Sequence, residues 1–126
     1  MNGGWRHELA AVFCGGAVGT LARVGLAEGL PHRVDAWPWA TLLANLVACA
    51  ILGWVVVRLH DVPGRPFWGT GLCGGLSTFS TLQVELVRMA EADAWGLAAT
   101  YAVVSIGGGL VLIAAGGAVA RRGRPT

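Results

Sequence analysis

A dense group of hydroxyl side chains follows a glycine-rich segment near the middle of the chain. The segment Gly71-Leu-Cys-Gly-Gly-Leu-Ser-Thr-Phe-Ser-Thr81 contains three glycines in five residues and then four hydroxyls in five. It lies in an uncharged run, from Pro66 to Val84, that is long enough to cross a bilayer. Broken backbone at membrane depth is tolerated only where it is buried in protein or lines a watery cavity. Such a break is typical of an ion or substrate site, so the segment predicts transport.

The chemistry available at this break is the binding of small ions. A chain that unwinds at Gly74–Gly75 frees carbonyl oxygens, which can coordinate a hard cation such as sodium. A helix that begins again after the break directs amide N–H groups at an anion. Phe79 either packs in the core or offers the positive edge of its ring to an anion. The hydroxyl groups either line a polar path or bond back to their own backbone.

Two further polar groups extend this pattern in the second and fourth predicted helices. Asn45 lies one turn from Thr41 on the same helical face, and it either joins two helices or lines a pore. Tyr101, Ser105 and Gly109 repeat every four residues, so they share one face of the last apolar segment.

Two charged residues lie near the predicted ends of spans. Glu85 lies one turn beyond Thr81, either at the mouth of a polar path or at the membrane interface. Arg23 either extends to the interface, holds an anion vestibule or bonds to carbonyl groups within the protein.

The composition indicates a membrane protein with a single small domain. Of 126 residues, 55% are hydrophobic, 13% are charged and 20 are glycine. A span needs about 20 mainly apolar residues, and the chain offers four such segments, at residues 9–27, 36–57, 67–89 and 94–120. The short connections between them make neighbouring helices antiparallel. Five of the tryptophans lie at predicted span ends, where aromatic belts form.

The arginines indicate how the chain is oriented. All nine basic residues are arginine. The side that carries both termini has six of them: Arg6, Arg58, Arg65, Arg121, Arg122 and Arg124. The other side has three: Arg23, Arg33 and Arg88. The positive-inside rule therefore favours cytoplasmic termini with only a mild bias, so insertion in both orientations is conceivable.

Small-residue pairs predict close helix packing and an oligomer. Gly15 and Gly19, and Gly71 and Gly75, are spaced so that helix backbones can approach each other. Four thin helices can hardly enclose a polar site alone, and a two-fold dimer is the commonest closed assembly.

Catalysis and nucleic-acid binding are disfavoured. The histidines lie far apart in predicted termini and loops, without the spacing of a metal site or a catalytic triad. The glycine-rich segment has no lysine after it, as a phosphate loop would. Most arginines flank apolar runs, which is typical of a membrane edge and not of a nucleic-acid surface.

The chain strongly resembles the CrcB or Fluc family of fluoride channels over nearly its whole length. The similarity rests on the segment from Gly15 to Arg23, on Thr41-Leu-Leu-Ala-Asn45, and on the long segment from Gly71 to Thr81. The resemblance implies an all-α membrane protein with four transmembrane helices per subunit and a third helix broken in mid-membrane. Two subunits pair antiparallel as a dual-topology homodimer in the plasma (bacterial inner) membrane, in contact with membrane lipid.

The resemblance also implies the function and the site residues. Such channels pass fluoride and reject chloride, so members give passive export of cytoplasmic fluoride. By motif alignment a structural sodium ion at the dimer centre is bound by backbone carbonyls of Gly74 and Ser77. The implied fluoride pore is lined by Asn45, Phe79, Ser80, Thr81, Tyr101 and Ser105, with Arg23 and Glu85 in the vestibule.

The main departure from the family pattern is Leu82, which stands where the family usually has a second pore phenylalanine. Leucine has no aromatic edge, so this position predicts altered conductance or selectivity.

Two other functions remain as alternatives. A small proton-coupled multidrug exporter needs a carboxylate in the first span, and none lies between Leu9 and Ala27. A non-transporting membrane assembly subunit would explain the glycines but not the hydroxyl cluster.

Overall fold

The described part of the chain is helical. A computed structural model describes residues 3–33 and 36–123. The long helices are α1 (Gly4–Gly29), α2 (Trp39–Arg58) and α5 (Trp95–Arg122). Between α2 and α5 lie three shorter pieces, which together form the third span, residues 66–91: a π-helical segment (Pro66–Cys73), α3 (Gly74–Leu76) and α4 (Phe79–Glu91).

The helices cover the four apolar segments predicted from the sequence, and each begins and ends within five residues of the predicted bound. Helices α1, α2 and α5 are each long and apolar enough to cross a membrane. The third span is interrupted, as its glycines and hydroxyls predicted. Arg124, which entered the count of arginines, lies outside the described residues.

Helix α1 packs against the third span through glycines on both sides. A Cβ atom at Gly15 would collide with the carbonyl oxygen of Phe67, and one at Gly19 with that of Leu72. At Gly75 a Cβ atom would lie 3.0 Å from both the backbone nitrogen and Oγ1 of Thr20. These helices approach backbone to backbone, so the small-residue pairs of the sequence have the packing role predicted for them.

A second close crossing, between α2 and α5, was not predicted. A Cβ atom at Gly53 would collide with the carbonyl oxygen of Ile113, and one at Gly116 with that of Ala50. Gly116 has Ala120 four residues later, a small-residue pair that the sequence reasoning did not use, whereas Gly53 has Cys49 and Val57 at that spacing and gives no such signal.

The break in the third span lies at Ser77 and Thr78, not at the predicted Gly74–Gly75. Ser77 has ψ 153° and Thr78 has φ −149° and ψ 117°, both extended conformations. Gly74 and Gly75 stay helical in α3. Gly75 is small so that α1 can pack against it, and the glycine pair therefore marks a helix contact next to the break.

Most of the surface is apolar, and the core is small. One core cluster joins α2, α4 and α5 through Leu42, Leu82, Met89 and Tyr101. Large apolar side chains elsewhere are open, including Phe13 at 77% and Phe79 at 71% exposure. A surface of this kind faces lipid or another subunit.

Candidate functional site

Asn45 on α2 holds the two sides of the break together. Its Oδ1 accepts a hydrogen bond from the backbone N–H of Thr78 at 2.7 Å, and its Nδ2 donates to the Thr78 carbonyl at 3.1 Å. One side chain thus supplies an acceptor for the N–H of Thr78, which has no helical partner, and a further donor to its carbonyl. The amide keeps a second N–H that these two bonds do not use.

Thr78 is the cap from which α4 begins. Its Oγ1 accepts from the backbone N–H of Thr81 at 3.2 Å, which satisfies one of the open donors at the helix start. The same hydroxyl donates to Thr81 Oγ1 at 3.0 Å, while Ser80 Oγ lies 3.5 Å away. Because Thr81 accepts here, its own hydroxyl hydrogen remains available to another acceptor.

Two of the carbonyl groups that lose their usual helical donors at the break belong to Gly74 and Ser77. The N–H that would bond to Gly74 belongs to Thr78 and is given to Asn45 instead. The N–H that would bond to Ser77 belongs to Thr81 and is given to Thr78 Oγ1. Both Gly74 and Ser77 are exposed, and both border a depression of about 220 Å³ beside α2.

Arg23 binds the third span next to this break. Its Nε donates to the carbonyl oxygen of Gly75 at 3.1 Å. Of the alternatives left open by the sequence, the structure thus has Arg23 bonded to a carbonyl group within the protein. The bond supplies a donor to a carbonyl whose own helical partner, the N–H of Phe79, lies beyond the break.

Glu85 is buried between three helices and does not face solvent. Its side chain is only 7% exposed. Thr41 Oγ1 donates to its Oε1 at 2.5 Å, and the hydroxyl of Tyr101 donates to its Oε2 at 2.7 Å. A carboxyl group is costly to bury unless it is hydrogen-bonded, and these two donors satisfy both of its oxygens.

A small cavity lies along α4 beside this carboxyl group. It has a volume of about 160 Å³, and Thr81 and Arg88 are among the residues that border it. His32 and Glu85 also border it. The basic residue that shares a cavity with Glu85 is therefore Arg88, whereas Arg23 lies at the break.

The other predicted pore residues differ in their surroundings. Phe79 and Ser80 are exposed at the start of α4. Tyr101 is fully buried, with the ring of Trp37 against it at a centroid distance of 5.7 Å. Among the described residues, the buried side-chain atoms without a hydrogen-bond partner are Ser105 Oγ and Trp37 Nε1. Ser105 thus presents an unused donor inside the protein.

Leu82 faces the core and not the open surface. It is 7% exposed and lies in the cluster with Leu42, Met89 and Tyr101. It is therefore in a different environment from Phe79, which is 71% exposed only three residues earlier.

Sequence reasoning missed two residues that organise the site. Thr78 was counted only as one of several hydroxyls, although a threonine directly before a helix is a common cap. Thr41 was noted only as a neighbour of Asn45. Its bond to Glu85 joins residues 44 positions apart, which no local pattern reveals.

Known proteins similar to this chain are fluoride channels. Residues 10–117 match the family described as CrcB-like protein, Camphor Resistance (CrcB). The chain is 48% identical over 123 residues to "Fluoride-specific ion channel FluC 1" of Mycobacterium bovis, covering 94% of this chain and 93% of the relative. It is 44% identical over 115 residues to "Fluoride-specific ion channel FluC" of Bordetella avium, covering 87% and 90%.

Proposed function

The chain belongs to the CrcB family, and we propose that it is a fluoride-specific ion channel that exports fluoride passively across the cell membrane. The observation that carries this proposal is similarity to fluoride channels over 94% of the chain. Hydrogen fluoride enters cells uncharged and ionises in the more alkaline cytoplasm. An inside-negative potential then favours exit of the anion by about 2.3 kcal/mol per 100 mV, so a channel needs no other energy source.

Fluoride is strongly hydrated, so the pore must replace its water with hydrogen-bond donors. The proposed donors nearest the break are the second N–H of Asn45 and the hydroxyl of Thr81. Neither hydrogen is used by the bonds between Asn45, Thr78 and Thr81. Both groups are therefore available to an anion without the loss of a contact that holds the break.

The start of α4 adds a favourable field. A helix N-terminus carries a partial positive charge, which stabilises an anion near its first turn. Ser80 and Phe79 occupy that turn and are exposed. We propose that the Ser80 hydroxyl and the positive edge of the Phe79 ring contact the ion as it passes.

Tyr101 and Ser105 are proposed to continue the path along α5. The free hydroxyl of Ser105 can bind fluoride directly. The hydroxyl of Tyr101 donates to Glu85, so fluoride reaches it only by displacing that carboxyl group. Glu85 is then the vestibule residue whose position controls the path. Arg23 is proposed to add positive charge near the break through its bond to Gly75.

Sodium is proposed to bind where the break exposes carbonyl groups. The oxygens of Gly74 and Ser77 have lost their helical donors and lie at an exposed depression, which fits a hard cation that prefers oxygen ligands. Two subunits related by a two-fold axis would supply four such oxygens. Bound there, the cation would neutralise the carbonyl dipoles and fix the two breaks together.

An antiparallel homodimer is proposed for the same reason. The face that carries Gly74, Ser77 and Phe79 is exposed in a single chain, although it holds the polar groups of the break. Polar backbone groups are costly against lipid. A second copy on this face would cover them and complete each pore.

Fluoride efflux from proteoliposomes tests the proposal directly. Vesicles loaded with potassium fluoride are treated with valinomycin, and a fluoride electrode follows release, with chloride-loaded vesicles as the control. We expect fast release of fluoride with little release of chloride. Proton-coupled cation transport would indicate a multidrug exporter, and the absence of any flux from folded dimer would indicate an assembly subunit; either result would reject the proposal.

A further inference from the structure

An apolar groove lies between the ends of α2 and α5 and the start of the third span. Its volume is about 650 Å³. It is bordered by Trp54 of α2, Leu59 directly after α2, Trp68 of the third span, and Ala115 and Val119 of α5. Tryptophan is enriched at the boundary between hydrocarbon and head groups, so Trp68, at the start of the third span, places that part of the groove near the boundary.

Two arginines extend the faces that line this groove. Arg58 follows Trp54 by four residues, and Arg122 follows Val119 by three and Ala115 by seven. Residues at these spacings share one side of a helix, so both arginines lie beyond the groove at its outer end. The Arg58 guanidinium carbon lies 6.0 Å from the centre of the Trp54 ring, which ties it to the groove wall.

These arginines have no carboxylate partner among the described residues. Arg58 donates one N–H to the carbonyl of Gly123 at 2.9 Å, and a guanidinium carries five such donors. Two carboxylates lie at this end of the molecule: Asp61 pairs with His60 at 3.0 Å, and Glu8 borders a cavity with Asp61 and Arg65, apart from the groove. The hydrogen bond from His60 lowers the pKa of Asp61, which therefore stays charged but engaged with His60. The outer end of the groove thus carries uncompensated positive charge.

The groove faces away from the break. Ala48, Cys49 and Leu52 border the depression at Gly74 and Ser77, whereas Ala50, Ile51, Trp54 and Val55 border the groove. With successive residues about 100° apart around a helix, these two sets are centred on different sides of α2. A second copy that covers the break therefore leaves the groove open to the bilayer.

We propose that this groove binds one anionic phospholipid. An acyl chain lies along the apolar wall between Trp54 and Val119, and the phosphate group lies against the guanidinium groups of Arg58 and Arg122. Guanidinium forms paired, charge-assisted hydrogen bonds with phosphate oxygens. A second copy of the chain is disfavoured as the occupant, because the polar face that it is proposed to cover lies at the break, on a different side of α2.

The test is lipid retention by the purified full-length protein, measured by native mass spectrometry. Protein in detergent is mixed with phosphatidylglycerol or with phosphatidylcholine of the same acyl chains. We expect phosphatidylglycerol to be retained more strongly, and Arg122→Gln to weaken its retention about fivefold. Arg88→Gln removes the same charge at the other end of the molecule and should leave retention unchanged.

A second pair of variants tests the groove without changing charge. Ala115→Trp fills the groove and should reduce retention of both lipids. Ala114→Trp adds the same side chain at an adjacent exposed position outside the groove and should have no effect. Equal retention of the two lipids, or equal effects within either pair of variants, would overturn the proposal. Retention is measured apart from flux, so it can fail while the channel function stands.

Discussion

Asn45 holds Thr78 and is proposed to donate to the anion, and a single substitution tests its place in the path. Asn45→Asp keeps an acceptor for the N–H of Thr78 but loses the donor to its carbonyl and the spare N–H. It also adds a negative charge, which repels an anion about 4 Å away by about 4 kcal/mol at an effective dielectric constant of 20. We expect fluoride flux to fall at least tenfold while the dimer still forms, as measured by vesicle efflux and size-exclusion chromatography.

Gln83→Glu is the matched control for this charge. Gln83 is an exposed amide on α4, one turn after Phe79, and the same change of group there adds the same charge without altering the bonds to Thr78. Its flux should fall much less than that of Asn45→Asp. Full flux in Asn45→Asp would remove Asn45 from the path, and equal losses in both variants would trace the effect to charge in general.

Leu82 is expected to influence permeation through the residues that it packs against, without lining the proposed pore. The side chain packs against Leu42 and Tyr101, and Tyr101 in turn holds Glu85. Leu82→Phe adds volume to this cluster, so Tyr101 must shift. We expect an altered single-channel fluoride current, with a loss of about 1–3 kcal/mol in stability from overpacking.

Leu82→Met keeps the volume and the apolar character at the same position. This control should change stability by less than about 1.5 kcal/mol and leave the current unchanged. Identical currents in Leu82→Phe and the unchanged protein would show that the position does not influence permeation.

At the scale of elements, close contact between α1 and the third span depends on glycine. Gly15→Ala places a Cβ atom against the carbonyl of Phe67 and should destabilise the protein by about 1–3 kcal/mol. Gly25→Ala on the same helix meets no atom within 4 Å. It should be neutral or stabilising by up to about 1 kcal/mol, because alanine is the better helix former.

Heat denaturation of the two variants, followed by loss of the intact species on size-exclusion chromatography, compares these effects. The midpoint should fall for Gly15→Ala and should not fall for Gly25→Ala. Similar midpoints would mean that the helices can move apart without cost, contrary to the backbone contact described above.

The elements were predictable from the sequence to different degrees. Long runs of apolar residues predicted the long helices, because the thickness of the bilayer fixes how long a spanning helix must be. The break was predicted, but not its position. Glycine is a poor helix former, so it favours a break only where nothing else stabilises the helix. At Gly75, packing on α1 and the hydrogen bond from Arg23 stabilise the helical backbone. Unwinding occurs at Thr78, where the Asn45 amide supplies new partners.

The residues of the candidate site could be predicted from the sequence, but the contacts between their side chains could not. The polar residues at the break were identified from residue type, since polar groups in lipid are costly. Their pairing was not, because Glu85 meets Tyr101 and Thr41 only once α2, α4 and α5 are packed. Contacts of this kind depend on how each helix is rotated about its own axis. A helix that is apolar on most sides has no sequence pattern that fixes this rotation.

At the scale of the whole molecule, the exposed polar break and the numbers of arginines at the two ends both bear on the proposed antiparallel dimer. The face with Gly74 and Ser77 is exposed in a single subunit, and the antiparallel partner proposed to cover it requires that the same chain insert both ways. The arginines oppose this only mildly, with six on the terminal side against three. The proposed dimer therefore requires a measurable population in each orientation.

A cysteine in the loop after α2 measures that population. Val62 is 46% exposed on the terminal side, and the native cysteines, Cys14, Cys49 and Cys73, all lie in helical spans. A membrane-impermeant maleimide added to intact cells should label part of Val62→Cys but none of the unchanged protein. The labelled fraction should be below one half, because the positive-inside rule favours cytoplasmic termini.

Neutralising two terminal-side arginines should then shift the balance. Arg121→Gln with Arg122→Gln leaves four arginines against three, so the bias nearly vanishes and labelling of Val62→Cys should rise toward one half. Arg88→Gln strengthens the bias and should lower it. If no label enters Val62→Cys in any of these backgrounds, although permeabilised cells label fully, the chain has one orientation. The antiparallel dimer would then be excluded, and the carbonyls of Gly74 and Ser77 would need a different partner.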